Sequence, residues 1–340
     1  MSSTLTGTNP VATKRWFRAD NIRWILLFNV IMEHTITLTE CFPHPVLKLV
    51  ATWSRLVTMP GFCFLSGYFS KKTDKGYDSA IVDFLIPYLI FNTLFVLIFG
   101  SDYPSIFSPT FQYWYLVSMF CWKIMAKTLV KIRGILPISI VVALLVGAAP
   151  DVNNFLSVSR TIVFLPYFIL GMKMNREDVR KIEALPKVPV ALAVLAVLVG
   201  MGAANYFGLF DHRFYYNWNS YAYYGYNFWQ GMLWRALGFV SSAVLVVGLF
   251  VFIPDRSLPV IRDGGTRTMV PYLLHSYIVM YVRYMLVFIP ALDRWYVMLP
   301  LGIVLGVGLM CLLGLPALDE LYKSMIGGIK KFLFPQPKTE

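Results

Sequence analysis

Arg23 and His34 stand eleven positions apart in NIRWILLFNVIMEHTITL, a stretch otherwise fit for lipid. Ionisable groups inside a membrane span are expensive, and they persist where they pair, line a cavity or do chemistry. Eleven steps of roughly 100° return to within about 20° of the starting direction, so the two side chains share one helix face. At 1.5 Å per residue they lie about 16 Å apart along the axis, half the thickness of a bilayer core. A cation near the inner surface and an imidazole deep in the membrane, both turned to one cavity, suggest transfer chemistry conducted across a bilayer.

The elements that must hold this pair are helices in lipid. The 340 residues are 57% hydrophobic and only 14% charged, with a mean hydropathy of +0.62. A soluble domain carries about 25% charge and no repeated twenty-residue apolar runs. The sequence therefore predicts an all-α, polytopic membrane bundle of about ten transmembrane helices, over 22–40, 55–70, 81–99, 111–127, 135–150, 157–174, 188–207, 229–253, 268–289 and 295–315.

A net charge of +12 could point to nucleic acid, but its distribution does not. Lys and Arg gather before the first span, after each even-numbered span up to the eighth, and in the final segment. The remaining connectors are acidic or nearly neutral, carrying Asp102, Asp151, Asp211 with Arg213, and Asp293 with Arg294. An even number of spans with both termini in the cytoplasm accounts for this alternation, and nucleic acid is not expected as a partner. The opening residues lack the apolar core of a signal peptide, so the first span serves as its own insertion signal. Cys41, Cys63, Cys121 and Cys311 form no CxxC or His/Cys cluster, so neither a metal site nor a disulfide framework is expected. No GxSxG elbow, phosphate-binding Gly-rich loop or HExxH is present.

Short stretches spread over most of the chain together resemble the membrane acyltransferase-3 family, in particular its stand-alone fucose 4-O-acetylase-like members. They are Asp20 just before the first span with Arg23 and His34 within it, MPGFCFLSGYFSKK at the end of the second, and then LIPYLIFN, YWYLVSMF, LPYFILGMKM and VPYLLHSYIV in order. The resemblance implies an enzyme that uses a cytoplasmic acyl-CoA, usually acetyl-CoA, as co-substrate with no bound cofactor. The acceptor it implies is a hydroxyl of an extracytoplasmic carbohydrate or glycan, and the location is the plasma membrane. Two departures stand out. Glu33 occupies a position commonly small in the family, and Asp78 and Asp83 stand where many members carry a basic pair. Residues 1–20 then read as a cytoplasmic tail, 21–315 as the transmembrane acyltransferase domain, and 316–340 as a partly amphipathic cytoplasmic tail in which Gly327–Gly328 weakens the helix.

With that resemblance, His34 is the catalytic candidate. It would act as base toward the acceptor hydroxyl or as transient acyl carrier. Glu33, one residue before it, points about 100° away and is not evidently its orienting partner. Arg23 suits the phosphates of CoA, or else anchors at the interface, and Lys71 and Lys72 lie on the same donor side. His275 either shapes the donor tunnel, hydrogen-bonds the thioester carbonyl, or makes a helix–helix contact. Arg55, Arg160, Arg235 and Arg283 fall toward the outer halves of spans, where they position the acceptor, stabilise an oxyanion or pair structurally. The aromatic connector 205–229, with Trp218 and Tyr224, offers ring faces and hydroxyls suited to a sugar, or forms an interfacial belt. A transporter of an anionic or sugar-linked lipid is the competing reading. It lacks the repeated halves or paired broken helices that transporters often show.

Overall fold

The computed structural model describes residues 15–71, 76–100, 107–150, 155–259, 261 and 263–335. Among these there are helices and turns but no strands. In chain order the helices are α1 (Phe17–Thr37), α2 (Pro45–Phe69), α3 (Tyr77–Phe99, π-helical over Ile81–Leu85), α4 (Trp114–Leu129), α5 (Ile135–Leu145) and α6 (Val158–Lys173). There follow α7 (Arg176–Glu183), α8 (Lys187–Tyr206), α9 (Phe228–Phe252), α10 (Met269–Phe288), α11 (Trp295–Leu313) and α12 (Pro316–Leu333). A helix stands at each of the ten segments read as spans.

Five of the helices, α3, α6 with its preceding turn, α8, α9 and α11, are long and apolar enough to cross a membrane by length and composition. In α1 and α2 the apolar residues are diluted by polar groups that face inward, among them Asn29, Glu33, Ser54, Arg55 and Thr58. The outer faces are greasy: Leu97, Val188 and Val304 are 77%, 71% and 67% exposed. So broad an apolar exterior is stable in hydrocarbon and a liability in water. The chain is a helical membrane protein.

Close approach fixes the centre of the bundle. A Cβ added to Gly67 of α2 would sit 1.9 Å from the Phe168 carbonyl oxygen of α6, and one on Gly171 would sit 2.0 Å from that of Phe64. Only glycine lets the two backbones touch in this way, the small-residue packing typical of helices in lipid. α1 packs against α2, α10 and α11, with Trp24, Leu27 and Ile31 in the core it shares with Val270, Val279 and Leu309.

The two ends of the bundle differ. At one, Arg15 pairs with Asp20 and Asp263, Arg18 with Glu183, and Arg176 with Glu183, closing a charged network around the start of α1. α12 packs Ile326 onto Val82 and Ile86 near the start of α3, and its helix continues through Gly327 and Gly328. At the other end, the Asp293 carboxylate accepts from the Glu40 and Cys41 amides, His44 caps α2 and stacks on Trp295, and the connector between α8 and α9 lies over the helices. The first end is called basic below, and the second aromatic.

Candidate functional site

His34 lies about 25 Å along α1, within one turn of its end at Thr37, so it sits nearer the aromatic end than the bundle's middle. It stays enclosed because Tyr215 and Tyr216 of the connector close the same cavity. The cavity holds about 720 Å³ of empty space, counting the part open to solvent. Its polar wall includes His34, Glu33, Arg55, Arg160, Ser54 and Thr58; Met59, Phe62 and Phe164 supply apolar surface.

Hydrogen bonds fix which imidazole nitrogen faces that space. His275 of α10 is fully buried, and its Nδ1–H donates to the Pro271 carbonyl (2.9 Å), since a carbonyl only accepts. In a neutral ring, Nε2 of His275 is then an acceptor, and it lies 3.0 Å from Nδ1 of His34. His34 must donate there, which leaves the lone pair on its Nε2. The rings stack with centroids 5.2 Å apart, and Phe111 packs edge-on against His34 at 5.6 Å.

Glu33 is the correction to the helical-wheel reading. Its side chain turns back so that Oε2 lies 3.8 Å from Nε2 of His34. It is held there by Arg55 from α2, whose Nε and Nη2 both donate to Glu33 Oε1 at 3.0 and 2.8 Å. Arg55 also donates to the His212 carbonyl (2.8 Å) and lies over the Tyr216 ring at 3.7 Å. The ion pair thus ties α1, α2 and the connector together beside His34 Nε2. Below it, Asn29 Nδ2 donates to Ser54 Oγ (2.9 Å) and Thr58 Oγ1 (2.5 Å), keeping α1 and α2 in register. Across the cavity, Gln112 donates to Ser276 Oγ (2.9 Å), one residue from His275.

The other residues singled out in the sequence divide by location. Arg160 lines the His34 cavity and lies over Trp114 (4.9 Å) and Trp218 (5.3 Å), while Trp218 itself lines neither that cavity nor its neighbour. Arg235 lines the neighbouring cavity. Tyr224 donates its hydroxyl to the Arg213 carbonyl and packs on Phe214 within the connector; Tyr215 and Tyr216 are the rings that reach the cavity. Arg283 is exposed on α10 and lines neither cavity. His275 stands behind His34 and is absent from the cavity wall.

Toward the basic end, Arg23 lies over the Phe69 ring at 4.0 Å and donates to Asp20 (3.4 Å). Lys71 covers Tyr68 at 3.7 Å and donates to the Met174 carbonyl. Lys72 lies outside the described residues. Tyr115 connects the regions, since it lines the cavity and its hydroxyl meets Ser66 Oγ (2.5 Å), one turn before Phe69. Arg23 itself does not line the His34 cavity; Tyr115 and Ser66 lie between the two. Ser54, Thr58, Gln112, Tyr215 and Tyr216 are cavity residues that the sequence reading does not single out. For Ser54 and Thr58 the signal is in the sequence: with Arg55, which is named there, they are polar residues at i, i+1 and i+4 on an otherwise apolar helix.

A lipid-facing helical bundle enclosing a histidine pair and a polar cavity defines an integral membrane protein with an internal site. The chain belongs to the acyltransferase-3 family: the family's profile, described as an acyltransferase domain, matches residues 16–318. No curated protein and no solved structure matches the chain. It is a membrane acyltransferase, and the transporter reading finds no such support.

Proposed function

We propose that this chain is an O-acyltransferase that moves an acyl group, acetyl foremost, from cytoplasmic acyl-CoA to a hydroxyl of an extracytoplasmic carbohydrate. In this reading ten helices cross the plasma membrane with the basic end in the cytoplasm, by the positive-inside rule. The observation that carries the reading is the hydrogen-bond chain from the Pro271 carbonyl through His275 to His34, which aims an unprotonated Nε2 along the cavity wall.

CoA enters at the basic end, where Arg23 and Lys71 meet its phosphates and the cavity takes the thioester. The acceptor hydroxyl gives its proton to His34 Nε2 as its oxygen attacks the thioester carbonyl. Glu33 stabilises the resulting imidazolium at 3.8 Å, and Arg160 places positive charge beside the developing oxyanion. Collapse breaks the carbon–sulfur bond, and the departing thiolate takes the proton from His34. Alternatively Nε2 attacks first and carries the acyl group; the same tautomer serves both routes.

The test compares wild type with His34→Ala at matched membrane abundance, reading acyl-CoA consumption and the acetyl mass increments of surface glycans. Loss of both in the variant supports the reading, with a drop of about 10²–10⁴-fold expected for removing a base. Equal increments in both remove His34 from catalysis.

A further inference from the structure

Arg235 stands two turns into α9 and is 3% exposed. Its Nη1 donates to the Ala143 carbonyl (3.2 Å), and the guanidinium lies over Tyr221 (4.7 Å) and Phe214 (5.6 Å). The Tyr221 side chain also hydrogen-bonds with the guanidinium, yet among the described residues no hydrogen-bond partner reaches its buried Nε and Nη2 and no carboxylate pairs with it. The contrast with Arg55 is informative. Arg55 uses the same two nitrogens, Nε and Nη2, to grip the Glu33 carboxylate. That side-on fork is the guanidinium's natural grip on a planar or tetrahedral oxyanion.

The surroundings are shaped to hold this fork in place. Gly231 and Gly238 lie about one turn before and after Arg235. A Cβ on either would strike Tyr221 at 2.2 Å or Tyr215 at 2.5 Å, so both rings press directly on the helix backbone. Arg235 borders a second cavity, narrower than that of His34, with Asn217 and Ser242 beside it. Arg55, Phe164 and Tyr215 line both this cavity and that of His34, so the two spaces share a wall. A buried cation without a protein counter-charge is costly, and an anionic ligand offsets that cost.

We propose that the acceptor is an acidic glycan, whose carboxylate or phosphate docks on the Nε/Nη2 fork of Arg235 while its hydroxyl meets His34 in the adjoining cavity. This rests on the acyl-transfer reading for the role of the hydroxyl, but the anion site stands on Arg235 itself.

Thermal unfolding of the full chain in phosphatidylcholine nanodiscs reads the site directly. The probes are methyl glucuronoside, its methyl ester and methyl glucoside 6-phosphate, at matched ionic strength. CoA release from acetyl-CoA in the same samples reads acyl transfer separately. Both anions are expected to protect the wild type more than the ester does. Arg235→Gln should weaken the anions' apparent affinity about tenfold or more and bring acid and ester together. Arg235→Lys, which keeps the charge and loses the fork, should fall between. If Arg235→Gln does not fold, the acid-against-ester comparison in the wild type and in Arg235→Lys still decides. Equal protection by acid and ester, no protection by either anion, or undiminished protection of Arg235→Gln overturns the proposal. A phosphatidylglycerol molecule retained by wild type, lost in Arg235→Gln and not displaced by the acids, would make the fork a lipid site and also overturns it. Anion protection that depends on Arg235 without CoA release from any probe would instead count against the acyl-transfer reading alone.

Discussion

The His34–His275 contact gives the two rings different places, His34 on the cavity wall and His275 behind it. The His275 ring hydrogen-bonds to His34 and to its own helix, so in the proposed mechanism it is a positioning residue. Replacing His275 with Ala leaves Nδ1 of His34 without its acceptor and frees the ring to turn. We expect kcat to fall about 10²-fold, the order expected for a misplaced group, with KM for acyl-CoA little changed, as measured by CoA release. Glu33 and Arg55 make a second test. Their side chains are 8% and 6% exposed, so Arg55→Met strands a buried carboxylate and should destabilise the protein by about 3–5 kcal/mol. The double variant Glu33→Gln/Arg55→Met should recover most of that loss in thermal unfolding. The spacing of Arg23 and His34 was legible because helical phase is arithmetic. The partnership of Glu33 with His34 was not, because a long side chain can bend back across the 100° between neighbours once Arg55 pulls on it.

Among the elements, the α2–α6 contact is the least forgiving. Gly67→Ala or Gly171→Ala drives a methyl into a backbone carbonyl, which cannot move aside as a flexible side chain does. Each should cost about 1–3 kcal/mol or more in thermal stability. Gly308→Ala in α11, where a Cβ meets nothing within 4 Å, should be neutral or gain up to about 1 kcal/mol. The connector supplies a pH test. Burial, then the Arg55 charge, lowers the His212 imidazole from 6.5 to about 4. Between those values the unfolded chain binds more protons than the folded one, so stability is lost as pH falls from 6.5 toward 4. His212→Gln should flatten that acid limb while leaving the slope above pH 6.5 unchanged. Helix positions were largely readable from apolar runs. The start of α1 at Phe17 was less so, since Arg18 and Asp20 look like a solvated tail until Glu183 and Asp255 meet Arg18 and Arg15 meets Asp20. The passage of α12 through two glycines was also hidden, because its packing on α3 outweighs local propensity.

At the scale of the molecule, the alternation of basic and neutral connectors corresponds to two chemically distinct ends. In a cysteine-free background, Tyr223→Cys should react with an impermeant maleimide on intact cells, and Arg180→Cys only after lysis. The reverse pattern would invert the proposed orientation and exclude a cytoplasmic donor at the basic end. The reach of tertiary contacts also sets an order in time. Glu33 and Arg55 are 22 positions apart, so at roughly 5–20 residues per second the ribosome supplies the partner in about 1–4 s. His275 follows His34 by 241 positions, about 12–48 s later. On that timing the partner of the buried carboxylate is made within seconds, and the ring bonded to Nδ1 of His34 only near the end of synthesis. An unfinished chain in the membrane already holds its buried acid paired, while the contact that sets the His34 tautomer is among the last to be made.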